Sequence, residues 1–177
     1  MTAPLVLLHG FTQTGRSWDP VRGHLALDPP RDIIAPDQRG HGEAGAVRPI
    51  LLPAMAADAM AQVPGGEELA LAGYSMGGRA ALLAAVASPG RVPHLALIST
   101  TAGIEDPDER AKRAAADAHF AERIEGLSIE EVVDGWSSQP LFADQPPEIT
   151  ALAREDRTGR RHPWLRLLDR LGLGFDS

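Results

Sequence analysis

Gly73-Tyr74-Ser75-Met76-Gly77 constrains this chain more than any other stretch. The apolar residues Leu69 to Ala72 precede it, and Arg79-Ala80-Ala81-Leu82-Leu83 follows with a helix-forming composition. A serine on a sharp strand-to-helix turn exposes its Oγ at the edge of a sheet. Side chains two residues to either side would then collide with backbone, so glycine is required at both places. Gly73 and Gly77 meet that requirement, and Gly78 allows a further close approach. The pentapeptide alone is a weak signal; the strand before it and the helix after it make it a structural claim. Ser75 is therefore the candidate catalytic residue, against the alternative of a coincidental glycine-rich turn.

The rest of the chain up to about residue 104 repeats the alternation of strand and helix. Leu5 to Leu8 is a continuous apolar run ending in His9-Gly10, as a strand buried on both faces would. Trp18, Val21 and Leu25 share a face at helical spacing and predict a short helix over residues 17–27. Ile33 to Ala35 reads as a second strand, residues 51–63 as a helix bounded by Pro49 and Pro64, and 69–72 as the third strand. A helix over 77–87 and a fourth strand over 95–98 complete the series. Short apolar strands alternating with helices predict an α/β fold with a parallel sheet, in spatial order 2-1-3-4 with the fourth strand's outer edge uncovered. Functional loops then gather at the strands' C-terminal ends.

From Asp106 the pattern turns wholly helical. Asp106-Pro107-Asp108-Glu109 is a helix start whose helix runs through Phe120 and Ile124, and Ser128 with Glu131 forms a capping-box pair before Trp136. Two further helical pieces are expected, at about 147–154 and 164–171. The organisation expected is a core over 1–104, a helical cap over 105–171 and a short tail over 172–177, one domain overall, with strands that would follow the cap missing. A length of 177 residues suits one domain with a sizeable core.

Charge narrows the partners. With 24 acidic against 17 basic residues, a net charge of -7 and no long lysine-arginine block, a nucleic-acid partner is disfavoured. Any anionic ligand must be held by local arginines against that field. The absence of cysteine excludes disulfides and thiolate metal sites. No apolar stretch has the length of a membrane span, and the first residues have no basic segment ahead of an apolar one, so a cytoplasmic protein is expected.

His9-Gly10-Phe11 ends the first strand beside the expected turn at Ser75. The backbone N–H groups of Phe11 and Met76 would converge there on one oxygen and stabilise charge developing on it. His9 reads as a hydrogen-bonded wall residue rather than a base. His41, in Asp37-Gln38-Arg39-Gly40-His41-Gly42, reads as structural.

On LHGFTQTGRSWDPV (Leu8 to Val21), DQRGHG (Asp37 to Gly42), GYSMGGRAAL (Gly73 to Leu82) and the cap pattern DERAKR…HFAERI…VVDGWSSQPLFA (Asp108 to Ala143), the chain resembles a family of the α/β-hydrolase superfamily. That family is the 2-succinyl-6-hydroxy-2,4-cyclohexadiene-1-carboxylate synthases of menaquinone biosynthesis. The first three motifs identify the superfamily; Tyr74, Arg79 and the cap pattern carry the narrower match. The resemblance implies a partial α/β-hydrolase fold and a carbon-oxygen lyase that abstracts a proton and eliminates pyruvate, with no cofactor and no metal. Its ligand would be a small polycarboxylate. Ser75 would be the catalytic serine, Phe11 and Met76 the oxyanion donors, and Tyr74, Arg79, Arg113, Trp136 and Arg157 the substrate-binding residues, with Arg154 competing for the last place. Guanidinium groups suit a substrate with several carboxylates. Each also has a plainer reading: Arg113 as solvated helix surface, Trp136 as cap core, Tyr74 as filler.

The family's serine works with a histidine and an aspartate, and both normally follow the cap. Neither of the two strands that would carry them is found after the cap, so the chain is expected to be inactive or nearly so. His119 in the first cap helix and His162 beside Arg160-Arg161 are poor substitutes. Two other functions stay open, a serine ester hydrolase and a non-catalytic binding module. Arginines facing Ser75 would favour the lyase, an apolar acyl pocket the hydrolase, and an occluded Ser75 the binding module.

Overall fold

A computed structural model of the protein describes residues 2–158. The expected helix over 164–171, the tail over 172–177 and His162 lie outside the described residues. Four parallel strands form one sheet in the order β2-β1-β3-β4: β1 (Leu5–Leu8), β2 (Ile33–Ile34), β3 (Ala70–Tyr74) and β4 (His94–Ile98). The order matches the expectation, and it follows from βαβ crossovers that return each strand beside an earlier one.

One face of the sheet is sealed by α2 (Leu52–Ala61) and α3 (Met76–Ala87). Their inward residues are small: Ala56 and Ala59 on α2, Ala80, Ala81 and Ala84 on α3, all buried with Val6, Leu8, Leu69 and Leu71 of the strand segments. The opposite face carries a smaller cluster of Leu7, Ala72 and Trp18. Trp18 does not sit on the long helix expected over 17–27. A 3₁₀ turn at Gly15–Trp18 and a single helical turn α1 (Asp19–Arg22) replace it. Thr14 caps that turn by accepting from Arg16 N–H, and Gly23 ends it, so the stretch closes before Leu25 can extend the apolar face.

Strand β4 has the uncovered outer edge expected of it. Past His94 it is apolar, yet all five residues are exposed, with Leu95, Leu97 and Ile98 keeping 37%, 42% and 43% of their accessibility. Its partner is β3 on one side alone among the described residues.

Above the strands' C-terminal ends lie three cap helices, α4 (Pro107–Ile124), α5 (Ile129–Ser137) and α6 (Pro147–Thr158), with a 3₁₀ turn at Pro140–Phe142. Asp106 accepts from the N–H groups of Asp108 and Glu109 to start α4, and the Ser128/Glu131 capping box starts α5 as expected. Helix α6 runs four residues past the expected Arg154. Cap residues Ile124, Val132 and Val133 join the same buried cluster as the sheet.

The close packing at the turn after β3 gives the first prediction. A Cβ on Gly77 would stand 2.6 Å from the His9 carbonyl oxygen, whereas one on Gly90 would meet nothing within 4 Å. Gly77→Ala should cost about 3 kcal/mol or more, since backbone must shift, and Gly90→Ala less than about 1 kcal/mol. Urea unfolding of the two variants checks this.

Candidate active site

Ser75 joins β3 to α3 with φ 52° and ψ -114°, outside the regions that L-residues ordinarily occupy. Its N–H donates to the Ile98 carbonyl (2.9 Å), and its own carbonyl accepts from Gly78 N–H (3.0 Å) and the Thr100 hydroxyl (2.8 Å). The turn is therefore held from β4 on one side and from α3 on the other. A Cβ on Gly73 would lie 2.6 Å from Gly78 Cα, so glycine is required there, as it is at position 77. Ser75 is half-buried at a cavity of about 270 Å³.

Phe11, Tyr74, Met76, Arg79, Arg113, Trp136 and Arg157 all line that cavity with Ser75. Met76 opens α3, where a backbone N–H has no acceptor within the helix. Phe11 precedes Thr12, a non-glycine residue at φ 69° in a loop closed by Gly10 N–H to Gln13 Oε1 (3.0 Å) and Gln13 N–H to the Gly10 carbonyl (3.3 Å). Tyr74 packs so tightly on Gly10 that a Cβ there would lie 2.7 Å from its ring. Trp136 forms the aromatic wall, 5.3 Å from Phe11, 5.7 Å from Phe120 and 6.4 Å from Phe142 between ring centroids.

The two candidate arginines of α6 separate cleanly. Arg154 is exposed and pairs with Asp134 (3.0 Å). Arg157 is buried, donating from Nε to the Thr12 hydroxyl and from Nη1 to the Ser137 hydroxyl, each at 3.0 Å, with its guanidinium 5.5 Å from the Phe142 ring centroid. Burial pushes Arg157 below the usual guanidinium value, while the negative charge of Asp156 works against that shift. Arg79 is also lowered, first by burial and then by the like charge of Arg113, with Asp117 opposing. Arginine's starting value is high enough that these groups stay cationic near neutrality.

Two acidic residues at or beside this site carry no signal in any of the sequence motifs. Asp117 lines the cavity and pairs with Arg113; its place four residues on along the same helix was the available signal. Asp156 is buried and accepts from Thr14 N–H (2.9 Å) and from the Thr14 hydroxyl, which docks α6 on the loop after β1. No local pattern announces a contact between residues so far apart in the chain.

Histidines do not line the cavity among the described residues. His9 is fully buried, and its Nε2 accepts from Gln38 N–H (2.9 Å). Its Nδ1, 2.8 Å from the Gly10 carbonyl, must then carry the proton, a neutral tautomer whose basic lone pair is already used. His41 is buried edge-on to His9 and Phe11, and His119 is exposed beside Glu122. No group of three or more histidine or carboxylate residues among those described could hold a metal ion. No described helix is long and apolar enough to cross a membrane.

Residues 5–176 match the family model described as Alpha/beta hydrolase family. The chain belongs to that family. Within it, the chain is 32% identical over 147 residues to the 2-succinyl-6-hydroxy-2,4-cyclohexadiene-1-carboxylate synthase of Enterobacter sp. (strain 638), covering 78% of this chain and 54% of the relative. The same-named protein of Yersinia pestis (strain Pestoides F) is 32% identical over 169 residues, covering 88% and 58%. The solved structure of MenH from S. aureus superposes with a TM-score of 0.81 at 27% identity, covering 97% of this chain and 67% of that one. This hydrolase-family chain thus spans a little over half the length of these curated relatives, and the S. aureus likeness carries the same parallel sheet and helical cap.

Docking of the cap by Asp156 yields the second prediction. Asp156→Ala should destabilise the chain by about 2 kcal/mol, the worth of hydrogen bonds to a charged group. Hydrogen exchange should show faster opening of α6 while β1 and β3 keep their protection; uniform loosening of the sheet would count against a docking role.

Proposed function

We propose that the cavity binds a small polycarboxylate, and that the chain carries the serine, oxyanion and arginine half of a 2-succinyl-6-hydroxy-2,4-cyclohexadiene-1-carboxylate synthase-type lyase. The observation that supports this best is three guanidinium groups, Arg79, Arg113 and Arg157, lining one cavity with Ser75 in a chain whose net charge is -7. Such a local reversal of charge suits carboxylates, which guanidinium groups meet through paired N–H bonds. An acyl channel for a simple ester would need none of them. Ser75 is half-buried at the cavity rather than occluded, which weighs against a pure binding module.

In this reading the arginines fix the carboxylates of 2-succinyl-5-enolpyruvyl-6-hydroxy-3-cyclohexene-1-carboxylate over Ser75. A proton leaves the substrate for the serine oxygen as the serine's own proton passes to the family's paired imidazole, the electron pair shifts through the conjugated system, and the carbon-oxygen bond to the enolpyruvyl group breaks, so that the enolate of pyruvate departs and takes up a proton to become pyruvate. The N–H groups of Phe11 and Met76 would hold the negative charge that develops on the substrate's carbonyl oxygen. Trp136 and the aromatic wall would exclude water and strengthen those contacts.

A serine hydroxyl needs an imidazole to act as a base near neutrality. The described residues bring none to the cavity, so the 177-residue chain assayed alone should release pyruvate slowly at most. Joining it to the C-terminal part of the Enterobacter relative should raise the rate, and Ser75→Ala should abolish the gain. Arg113→Ala in the joined protein should lower kcat/KM about 10- to 100-fold, the loss of one charge-assisted contact. Pyruvate is measured by coupled lactate dehydrogenase. Ester hydrolysis without pyruvate release would favour the serine ester hydrolase instead.

A further inference from the structure

Asp117 is the one carboxylate lining the cavity among the described residues. It stands one turn beyond Arg113 on α4, with both of its oxygens 2.9 Å from Arg113 Nε. Its side chain keeps 18% of its accessibility against 49% for Arg113, so the carboxylate is the more enclosed partner. It shares the cavity lining with two further cations, Arg79 and Arg157. A helix pair of this spacing contributes only tenths of a kcal/mol to stability. Fold stability therefore gives little account of a negative charge placed among three guanidinium groups.

A carboxylate meets a guanidinium best through two parallel N–H bonds, and Nε with its neighbouring Nη offers one such fork. Asp117 already occupies Nε. An incoming carboxylate must displace it or bind to the remaining fork beside a fixed negative charge. Either way the resident charge opposes the ligand, and it opposes a more highly charged ligand more strongly.

We propose that Asp117 is a placeholder anion, holding Arg113 in the ligand-free cavity and giving way to a ligand carboxylate, so that it weakens binding and disfavours the most highly charged anions. This rests on the reading of the cavity as a carboxylate pocket. A residue that only oriented Arg113 would act in the opposite sense, because its loss would weaken binding.

The test is calorimetric titration of succinate, with two carboxylates, and tricarballylate, with three, into the 177-residue chain at low ionic strength. The comparison is Asp117→Asn, which keeps an oxygen able to accept from Arg113 Nε, and Asp117→Glu, which keeps the charge. Asp117→Asn should bind tricarballylate about three- to tenfold more tightly, as loss of one partly screened charge implies, and succinate by a smaller factor. The gain should shrink with added salt, and Asp117→Glu should show none. Unchanged or weaker binding by Asp117→Asn overturns the placeholder and leaves the carboxylate pocket standing. No binding of either probe, by the unaltered chain or by Asp117→Asn, overturns both.

Discussion

The backbone of Ser75 is the constraint on which the rest of the structure depends. A non-glycine residue at φ 52° and ψ -114° is strained by about 1–3 kcal/mol, and such a conformation persists only where its surroundings over-determine it. The surroundings are three strands and a helix. The Ile98 carbonyl and the Thr100 hydroxyl grip the turn from β4 and its following loop, while Gly73 and Gly77 let α3 start against the His9 end of β1. Strand order, the alanine-rich packing of α2 on α3 and the glycine spacing all serve this one close approach.

A second dependency ties the cap to the same place. Helix α6 reaches down with Asp156 to Thr14 and Arg157 to Thr12, both in the loop that carries Phe11. Trp136 of α5 rests edge-on against Phe11 itself. The loop that flanks Ser75 is therefore also the seat of the cap, so cap position and the geometry around Ser75 cannot vary independently. Arg157 of that helix and Arg113 of α4 line one cavity with the serine in an otherwise acidic molecule.

The parts of this arrangement legible in the sequence are those written locally. Gly73, Ser75 and Gly77 sit within five residues, the strands are short apolar runs, and the Ser128/Glu131 box is a three-residue pattern. The sheet order follows because crossover handedness leaves few alternatives. What stayed hidden depends on contacts between distant residues. Trp18, Val21 and Leu25 have helical spacing, but the turn capped by Thr14 takes Trp18 to the sheet and leaves Leu25 outside. Whether Arg154 or Arg157 turns inward is decided by the last turn of α6 and its two anchoring threonines, which no nearby residue betrays.

The strained serine and the cap arginines line one cavity, and its proposed anion binding can be seen directly. A crystal structure of the 177-residue chain grown with tricarballylate should show a positive φ at Ser75 and ligand carboxylates within about 3 Å of guanidinium nitrogens of Arg113 and Arg157, with the Ser75 Oγ on the same cavity. A ligand bound elsewhere, or an Arg113 turned to solvent while the cavity holds only apolar density, would contradict it.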